Sequence, residues 1–407
     1  MDLALPGDDH PARVAVRSWL DAHPSPGPRA LAESGYVAPH WPRPWGLDAD
    51  PVSQLVIDEE LQRAAVRRPS NQIGIGWAGP TLIHAGTEAQ KTRYLLPLLA
   101  GEEIWCQLFS EPDAGSDLAG LATAARRDGD EWVVTGQKVW TSYAHLAAFG
   151  ILLARTDPGA SKHRGISYFI CPMDAPGVTV RPIVDMSGDH TFNEVFLDEV
   201  RLPAANLVGE ENGGWGLAKV TLGNERVSLS GEGALWGQGP TATDLVDLVR
   251  RRGGMQDPLL RQRLVGVWMQ GEVLRLLRLR TIGATLSGRQ PGPEASVRKA
   301  IADDHGQRVM EAANAVAGAY GALADGGPLQ GLEGGIGDGH GGDVRGGDRH
   351  IGDRHGPPDA GWPSLVWSKG YLFSRALTIG GGTSEVQRNI IAERVLGLPH
   401  DLDLSMS

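Results

Sequence analysis

The sequence predicts an α+β protein in which helices, a β domain and helices again follow one another along the chain. Three observations predict it. Amphipathic stretches with capping signals fill the first hundred residues, short β-rich runs crowd the region after Ile104, and helical periodicity returns after Trp215. A chain of 407 residues exceeds the usual single core, so three domains are expected: 1–103 helical, 104–214 β, and 215–407 helical.

In order along the chain, Pro11 to Ala22 is amphipathic. Asp50-Pro51 supplies an N-cap and a first-turn proline for a helix running to about Arg67. Thr87-Glu88-Ala89-Gln90 reads as a capping box, opening a helix that stops near Ala100-Gly101. Beyond Ile104 the runs Glu131–Trp140, Gly150–Arg155, Gly165–Met173, Val178–Ile183 and Thr191–Leu202 have no helix-length segment between them. Parallel winding is therefore disfavoured, and an antiparallel barrel or sandwich is expected. Asp257-Pro258 opens a long helix to about Ser287, Pro293 another through Tyr320, and Thr383 to Leu396 forms a last one closed by Gly397. The stretch of about 326–358, rich in Gly, Asp, His and Arg, has no apolar face and is expected to be a disordered surface insertion.

Composition narrows the function. Cys106 and Cys171 both stand in apolar runs, which suits buried free thiols in a reducing cytoplasm. A net charge of −11 argues against nucleic acid as a general partner, while anionic cofactors remain open through local arginines and helix N-termini. No run approaches the roughly 18 apolar residues of a membrane span, and the N-terminus lacks the apolar core of a secretory signal; a soluble, cytoplasmic protein is expected. His340, His350 and His355 lack ordered ligand spacing, so no metal is expected.

Several motifs weigh differently. Gly74-Ile75-Gly76-Trp77-Ala78-Gly79 matches the dinucleotide fingerprint in letters only, because no strand precedes it; a tight helix-helix loop is the better reading. Ser296-Val297-Arg298-Lys299 matches Ser-x-x-Lys without its companion motifs, and chance accounts for it. Trp105 to Asp117, W-C-Q-L-F-S-E-P-D-A-G-S-D, is a strand breaking into a polar, glycine-containing turn able to offer N–H groups and hydroxyls to an anion. Gly136-Gln137-Lys138-Val139-Trp140-Thr141-Ser142 is a strand ending in an indole beside two hydroxyls, what a flat aromatic cofactor needs.

These two segments together resemble the middle domain of the acyl-CoA dehydrogenases. So do Phe192-Asn193-Glu194-Val195-Phe196, Val200-Arg201-Leu202-Pro203, Leu207-Val208-Gly209-Glu210 with Gly214-Trp215, and Gly382-Thr383-Ser384-Glu385-Val386-Gln387-Arg388-Asn389. The likeness covers the chain apart from the insertion. It implies helices, a β barrel or sandwich, a C-terminal four-helix-type bundle, and FAD as cofactor. By likeness, Gln107, Leu108 and Ser110 line the isoalloxazine, Gly115 and Ser116 meet pyrophosphate or substrate, and Trp140, Thr141 and Ser142 flank the flavin. Thr383 and Glu385 complete the site, and Gly381 stands beside substrate.

The resemblance also implies removal of a proton from the α carbon of an acyl thioester by a carboxylate, with a hydride leaving the β carbon. Most members carry that carboxylate just before the Gly-Thr of the C-terminal motif, where this chain reads Ile379-Gly380-Gly381-Gly382-Thr383. A branch that includes isovaleryl-type and actinobacterial steroid-side-chain enzymes carries it on the helix after the β domain. Glu225 of Leu222-Gly223-Asn224-Glu225-Arg226-Val227 matches that position, and Arg226 the substrate-contacting residue beside it. Small residues at Gly380 and Gly381 are expected to free space for branched or ring-bearing acyl groups. Leu279-Arg280-Thr281-Ile282-Gly283 lacks the Phe-Gly of the segment that in homotetramers reaches a neighbour's FAD, so a homo- or hetero-oligomer, dimer or tetramer, is expected. Electron-transfer flavoprotein is the acceptor implied. Two other readings stay open: a flavin oxidase or monooxygenase on the same fold, and a non-catalytic or half-site subunit of a heteromeric enzyme.

Overall fold

The structure, a computed structural model, describes residues 6–229, 233–251, 254–286, 292–318 and 365–399. The insertion expected at about 326–358 lies outside the described residues. Two compact units emerge: Met1–Val184 with His190–Glu225 and Thr285–Arg289, and Asp185–Asp189 with Arg226–Ala284 and Gln290–Ser407.

The first unit opens with helices whose starts are written locally. Helix α1 (Pro11–Ala22) is followed by α2 (Pro28–Glu33), and Asp50 caps α3 (Pro51–Arg63) by accepting from Val52 N and Ser53 N at 2.9 and 3.1 Å. Buried Arg13 of α1 pairs with Glu59 and Glu60 of α3, tying the two helices. Helix α3 ends at Arg63, short of the expected Arg67, because Ala65 turns to φ 53° and Val66 N closes back on Leu61 O. The Gly74–Gly79 segment is helical where a loop was expected: a π turn (Gly74–Ala78) runs into α4 (Gly79–Ala85). Its start is anchored by buried Asn71, which donates to Leu98 O and Glu103 O and accepts from Trp105 N. Such long-range anchoring leaves no local sequence signal. The capping box at Thr87 and Gln90 opens α5 (Glu88–Leu99) as read.

The β domain of the same unit comprises β1 (Trp105–Leu108), β2 (Ala124–Asp128), β3 (Glu131–Lys138), β4 (Phe149–Arg155), β5 (Ile166–Pro172), β6 (Val178–Ile183), β7 (Phe192–Pro203) and β8 (Leu207–Val208). The strand order is β6-β7-β3-β2-β4-β5-β8, with β1 beside β4. Most pairs are antiparallel, as expected; β1 and β4 pair in parallel, and a single parallel bridge joins β2 to β4. Alternating residues of the strands, Trp132, Val134, Leu152, Phe169, Val195 and Leu202 among them, form one core cluster. Cys106 and Cys171 are free and fully buried there. Burial pushes both thiols up, Cys171 to about 12, so neither is a thiolate at neutral pH.

Helix α6 (Gly214–Leu229) leaves the sheet at a glycine for a steric reason: a Cβ at Gly214 would lie 2.6 Å from the Ser167 carbonyl carbon on β5. The helix is pinned one turn before its charged end. Thr221 Oγ1 lies 2.8 Å from Thr81 Oγ1 of α4 and 3.1 Å from the Tyr168 hydroxyl of β5.

The second unit is helical: α7 (Ala242–Arg251), α8 (Pro258–Leu286), α9 (Ala295–Ala317), α10 (Leu365–Phe373), a 3-10 turn (Ser374–Thr378) and α11 (Ser384–Ile390). Helix α9 packs against α10, the 3-10 turn and α11. Thr383 caps α11 by accepting from Val386 N, but the helix expected to run on to Leu396 changes to a π turn over Ile391–Val395. No helix among the described residues is long and apolar enough to cross a membrane.

Candidate active site

In the first unit, strand alternation turns Gln107 away from the core and Leu108 into it. Gln107 Nε2 donates to Glu225 Oε2 at 3.3 Å, so β1 and α6 bring these two site residues together. The Glu225 side chain is buried, with 6% of the residue exposed. The Leu108 side chain is fully buried among the core residues, which leaves its backbone as the part able to face a ligand.

The turn after β1 owes its shape to a buried ion pair that the sequence reading passed over. Glu111 accepts from Lys138 Nζ at 2.8 Å and from the Ala122 and Thr123 amides at 2.6 and 3.0 Å, while Lys138 also donates to Phe109 O. Burial raises the Glu111 carboxyl, yet Lys138 and these donors outweigh it and hold it below the usual range. Burial pulls Lys138 down to about 8, which still leaves it charged at neutral pH. Ser110 O accepts from Val139 N, binding the turn to the end of β3, and Gly115 and Ser116 sit exposed beyond it. The sequence gives little sign of it: the acid stands in a polar turn, and the lysine closes a strand that also carries Glu131, Thr135 and Gln137.

Past β3 the backbone is constrained. Trp140 and Tyr143 take φ 59° and 58°, a region costly for residues with side chains. Asn193 enforces it: Thr141 and Asn193 exchange backbone bonds at 3.0 Å each, and Asn193 Nδ2 donates to Thr141 O at 3.0 Å. The result buries Thr141, half-buries Ser142 and holds the Trp140 indole 59% exposed, edge-on to Phe192. Asn193, His145 and His190 also line a cavity of about 430 Å³ with Met173 and Val180. Among the described residues, Gln107 Oε1, Thr123 Oγ1, Thr141 Oγ1 and Asn193 Oδ1 of this region are buried without a hydrogen-bond partner.

The remaining predicted residues, Arg226, Gly381, Thr383 and Glu385, belong to the second unit. Thr383 serves as the α11 cap, and Glu385 is exposed and pairs with Arg388 at 3.4 Å. The space expected beside Gly380 is filled. A Cβ at Gly380 would lie 2.4 Å from Trp236 Cζ2, so the indole occupies the place of a side chain there. Trp236 in turn meets the Phe373 ring edge-on at 5.1 Å.

This order of parts has counterparts. The acyl-CoA dehydrogenase N-terminal domain model matches residues 12–102, the middle domain model 106–200, and the C-terminal domain model 212–334 and 355–396. The chain belongs to the acyl-CoA dehydrogenase family. The family is one of oxidoreductases, generally flavoproteins. Over 404 residues this acyl-CoA dehydrogenase is 38% identical to IpdE1 of Mycobacterium tuberculosis, covering 98% of this chain and 92% of that one. It is 41% identical over 371 residues to FadE34 of the same organism, covering 91% of this chain but 46% of FadE34, so it spans less than half of that relative's length. Among solved structures it matches the Tcur3481-Tcur3483 steroid ACAD at 29% identity and TM-score 0.74, covering 98% of this chain and 100% of that one. The ChsE4-ChsE5 complex from M. tuberculosis matches at 28% identity and TM-score 0.70 with the same coverage.

Proposed function

We propose that the chain carries out FAD-dependent α,β-dehydrogenation of an acyl-CoA whose acyl group is branched or ring-bearing, with Glu225 as the base. The observation that carries this reading is the buried Glu225 carboxylate, held by Gln107 on the helix that follows the β domain. A carboxylate positioned at the acyl thioester is the natural acceptor for a proton from the thioester-activated carbon. Arg226 is assigned to substrate, and the stretch Gly380-Gly381-Gly382 offers no carboxylate to compete for the role.

The residues present suit the cofactor. Thr141 Oγ1 and Gln107 Oε1 are buried and unpartnered, and the exposed Trp140 offers an aromatic face. Ser110, Ser142, Gly115 and Ser116 would share in holding FAD, with Thr383 and Glu385 assigned to it by resemblance. FAD supplies, when bound, the hydride acceptor. Glu225 takes the α proton onto a carboxylate oxygen, and Gln107 keeps that carboxylate oriented. Electron-transfer flavoprotein is the proposed acceptor of the electrons.

The filled space at Gly380 shifts the argument for bulky substrates from steric room to the likeness to the steroid ACAD. Anaerobic addition of an acyl-CoA panel to flavin-loaded protein tests it: branched or steroid-side-chain acyl-CoAs should bleach the flavin band faster than straight short chains. Equal or faster bleaching by butyryl-CoA removes the substrate assignment. A half-site subunit is the second reading, favoured by the missing Phe-Gly near Arg280 and by the likeness to the ChsE4-ChsE5 complex. Flavin content of the assembled protein decides between them, at one per chain or one per two.

A further inference from the structure

Lys299 is a buried cation that the proposed chemistry leaves without a task. It lies on α9 with no exposed surface, and Asp303, one turn along the same helix, is 2% exposed. Lys299 Nζ donates to Asp303 Oδ2 at 2.6 Å, Leu377 O at 3.0 Å, Gly380 O at 2.7 Å and Gly382 O at 3.1 Å. Three of the four acceptors are backbone carbonyls of one segment, which runs from within the 3-10 turn to the start of α11. Gln387 Nε2, from α11, holds Gly381 O and Gly382 O at 3.0 and 3.2 Å. All three glycine carbonyls are thus engaged by side chains from α9 and α11.

The loop needs such an external hold. Gly381 and Gly382 take φ 66° and 88°, in the region glycine enters freely, and three successive glycines bring no side chain to fix their own path. Burying an ammonium beside a single carboxylate is a poor way to gain stability, since well-packed apolar residues often do as well or better. What the ammonium adds is geometry: one nitrogen whose N–H donors draw several carbonyl oxygens to a single point.

We propose that Lys299 is a positioning residue of the dehydrogenation, fixing the Gly380–Gly382 loop in the conformation in which Gly381 and Thr383 serve substrate and cofactor. Asp303, one turn along α9, accepts from the same ammonium and aims the side chain. The assignment rests on the dehydrogenase reading given above, and its test separates the two.

Lys299→Met keeps the length and removes the donors. Hydrogen exchange of peptides spanning 377–387, followed by mass spectrometry, reads the hold directly, and stopped-flow flavin reduction at saturating acyl-CoA reads its consequence. The expected result is faster exchange confined to that segment, with a limiting reduction rate lower on the order of 10²-fold at equal flavin content. Unchanged exchange, or an unchanged limiting rate in folded protein, overturns the proposal. Should Lys299→Met fail to fold, Lys299→Arg takes its place, retaining charge and donors in a different geometry. It is expected to recover thermal stability but only part of the rate, and a full wild-type rate with loosened exchange overturns the proposal. A wild-type protein reduced by no acyl-CoA sinks the dehydrogenase reading, and the positioning role with it, while the exchange still shows whether Lys299 holds the loop.

Discussion

Single residues carry the chemistry here through what surrounds them. Glu225 is an ordinary helix carboxylate in the sequence; burial and the Gln107 amide are what set it apart. Gly380 shows the reverse case. Its lack of a side chain was read as room, whereas Trp236 fills the place, so even one added methyl should crowd the indole. Gly380→Ala is expected to cost about 1–3 kcal/mol, measured by urea unfolding, with the loss relieved when Trp236 is shortened to Leu in the same chain. An additive double mutant would show that the contact is not the cause.

Elements show most plainly what could be read in advance. Helices α3 and α5 start where Asp50 and the Thr87–Gln90 box place them, because a cap is chemistry between residues two or three apart. The π turn at Gly74, the parallel pairing of β1 with β4 and the Lys299 hold depend on partners tens of residues away, which periodicity cannot report. For the same reason the Glu111–Lys138 pair was passed over, although it shapes the turn between β1 and β2. Lys138→Met leaves Glu111 buried without its counter-charge and should cost about 3–5 kcal/mol in urea unfolding, while the double replacement Lys138→Met with Glu111→Leu should recover part of it. Helix α9 carries two groups of opposite pH behaviour. Burial lowers His305 from 6.5 to about 4, so its contribution to stability is present above pH 6.5 and lost as pH falls through 4. Burial raises Asp303 from 3.8 to about 7 against the pull of Lys299, so its contribution is full below pH 3.8 and lost as pH rises through 7. The two offset each other between about pH 4 and 6.5. Asp303→Asn, which cannot titrate, should therefore lose melting temperature more steeply than the wild type as pH falls through that window, and parallel curves would contradict the assignment.

At the scale of the whole molecule, the order of helices, sheet and helices was legible because the hydrophobic period changes at Ile104 and again at Trp215. The expectation of an oligomer rests in the sequence on a missing Phe-Gly, and the structure adds a surface that suits it. Val265, Trp268, Met269, Val273 and Leu276 are exposed at helical spacing along α8, an apolar stripe of the kind that marks an interface. Trp268→Glu with Met269→Glu should lower the assembly state seen by sedimentation velocity, and an unchanged sedimentation coefficient would remove the stripe from the interface. The account as a whole stands on Glu225. Its most direct test is anaerobic stopped-flow reduction of Glu225→Gln beside the wild type, both loaded with flavin to the same extent, using the acyl-CoA that bleaches the wild type fastest. Loss of the base should slow bleaching on the order of 10²–10⁴-fold with flavin still bound. Reduction at the wild-type rate would show that another group removes the proton, and would contradict the assignment of this helix as the catalytic one.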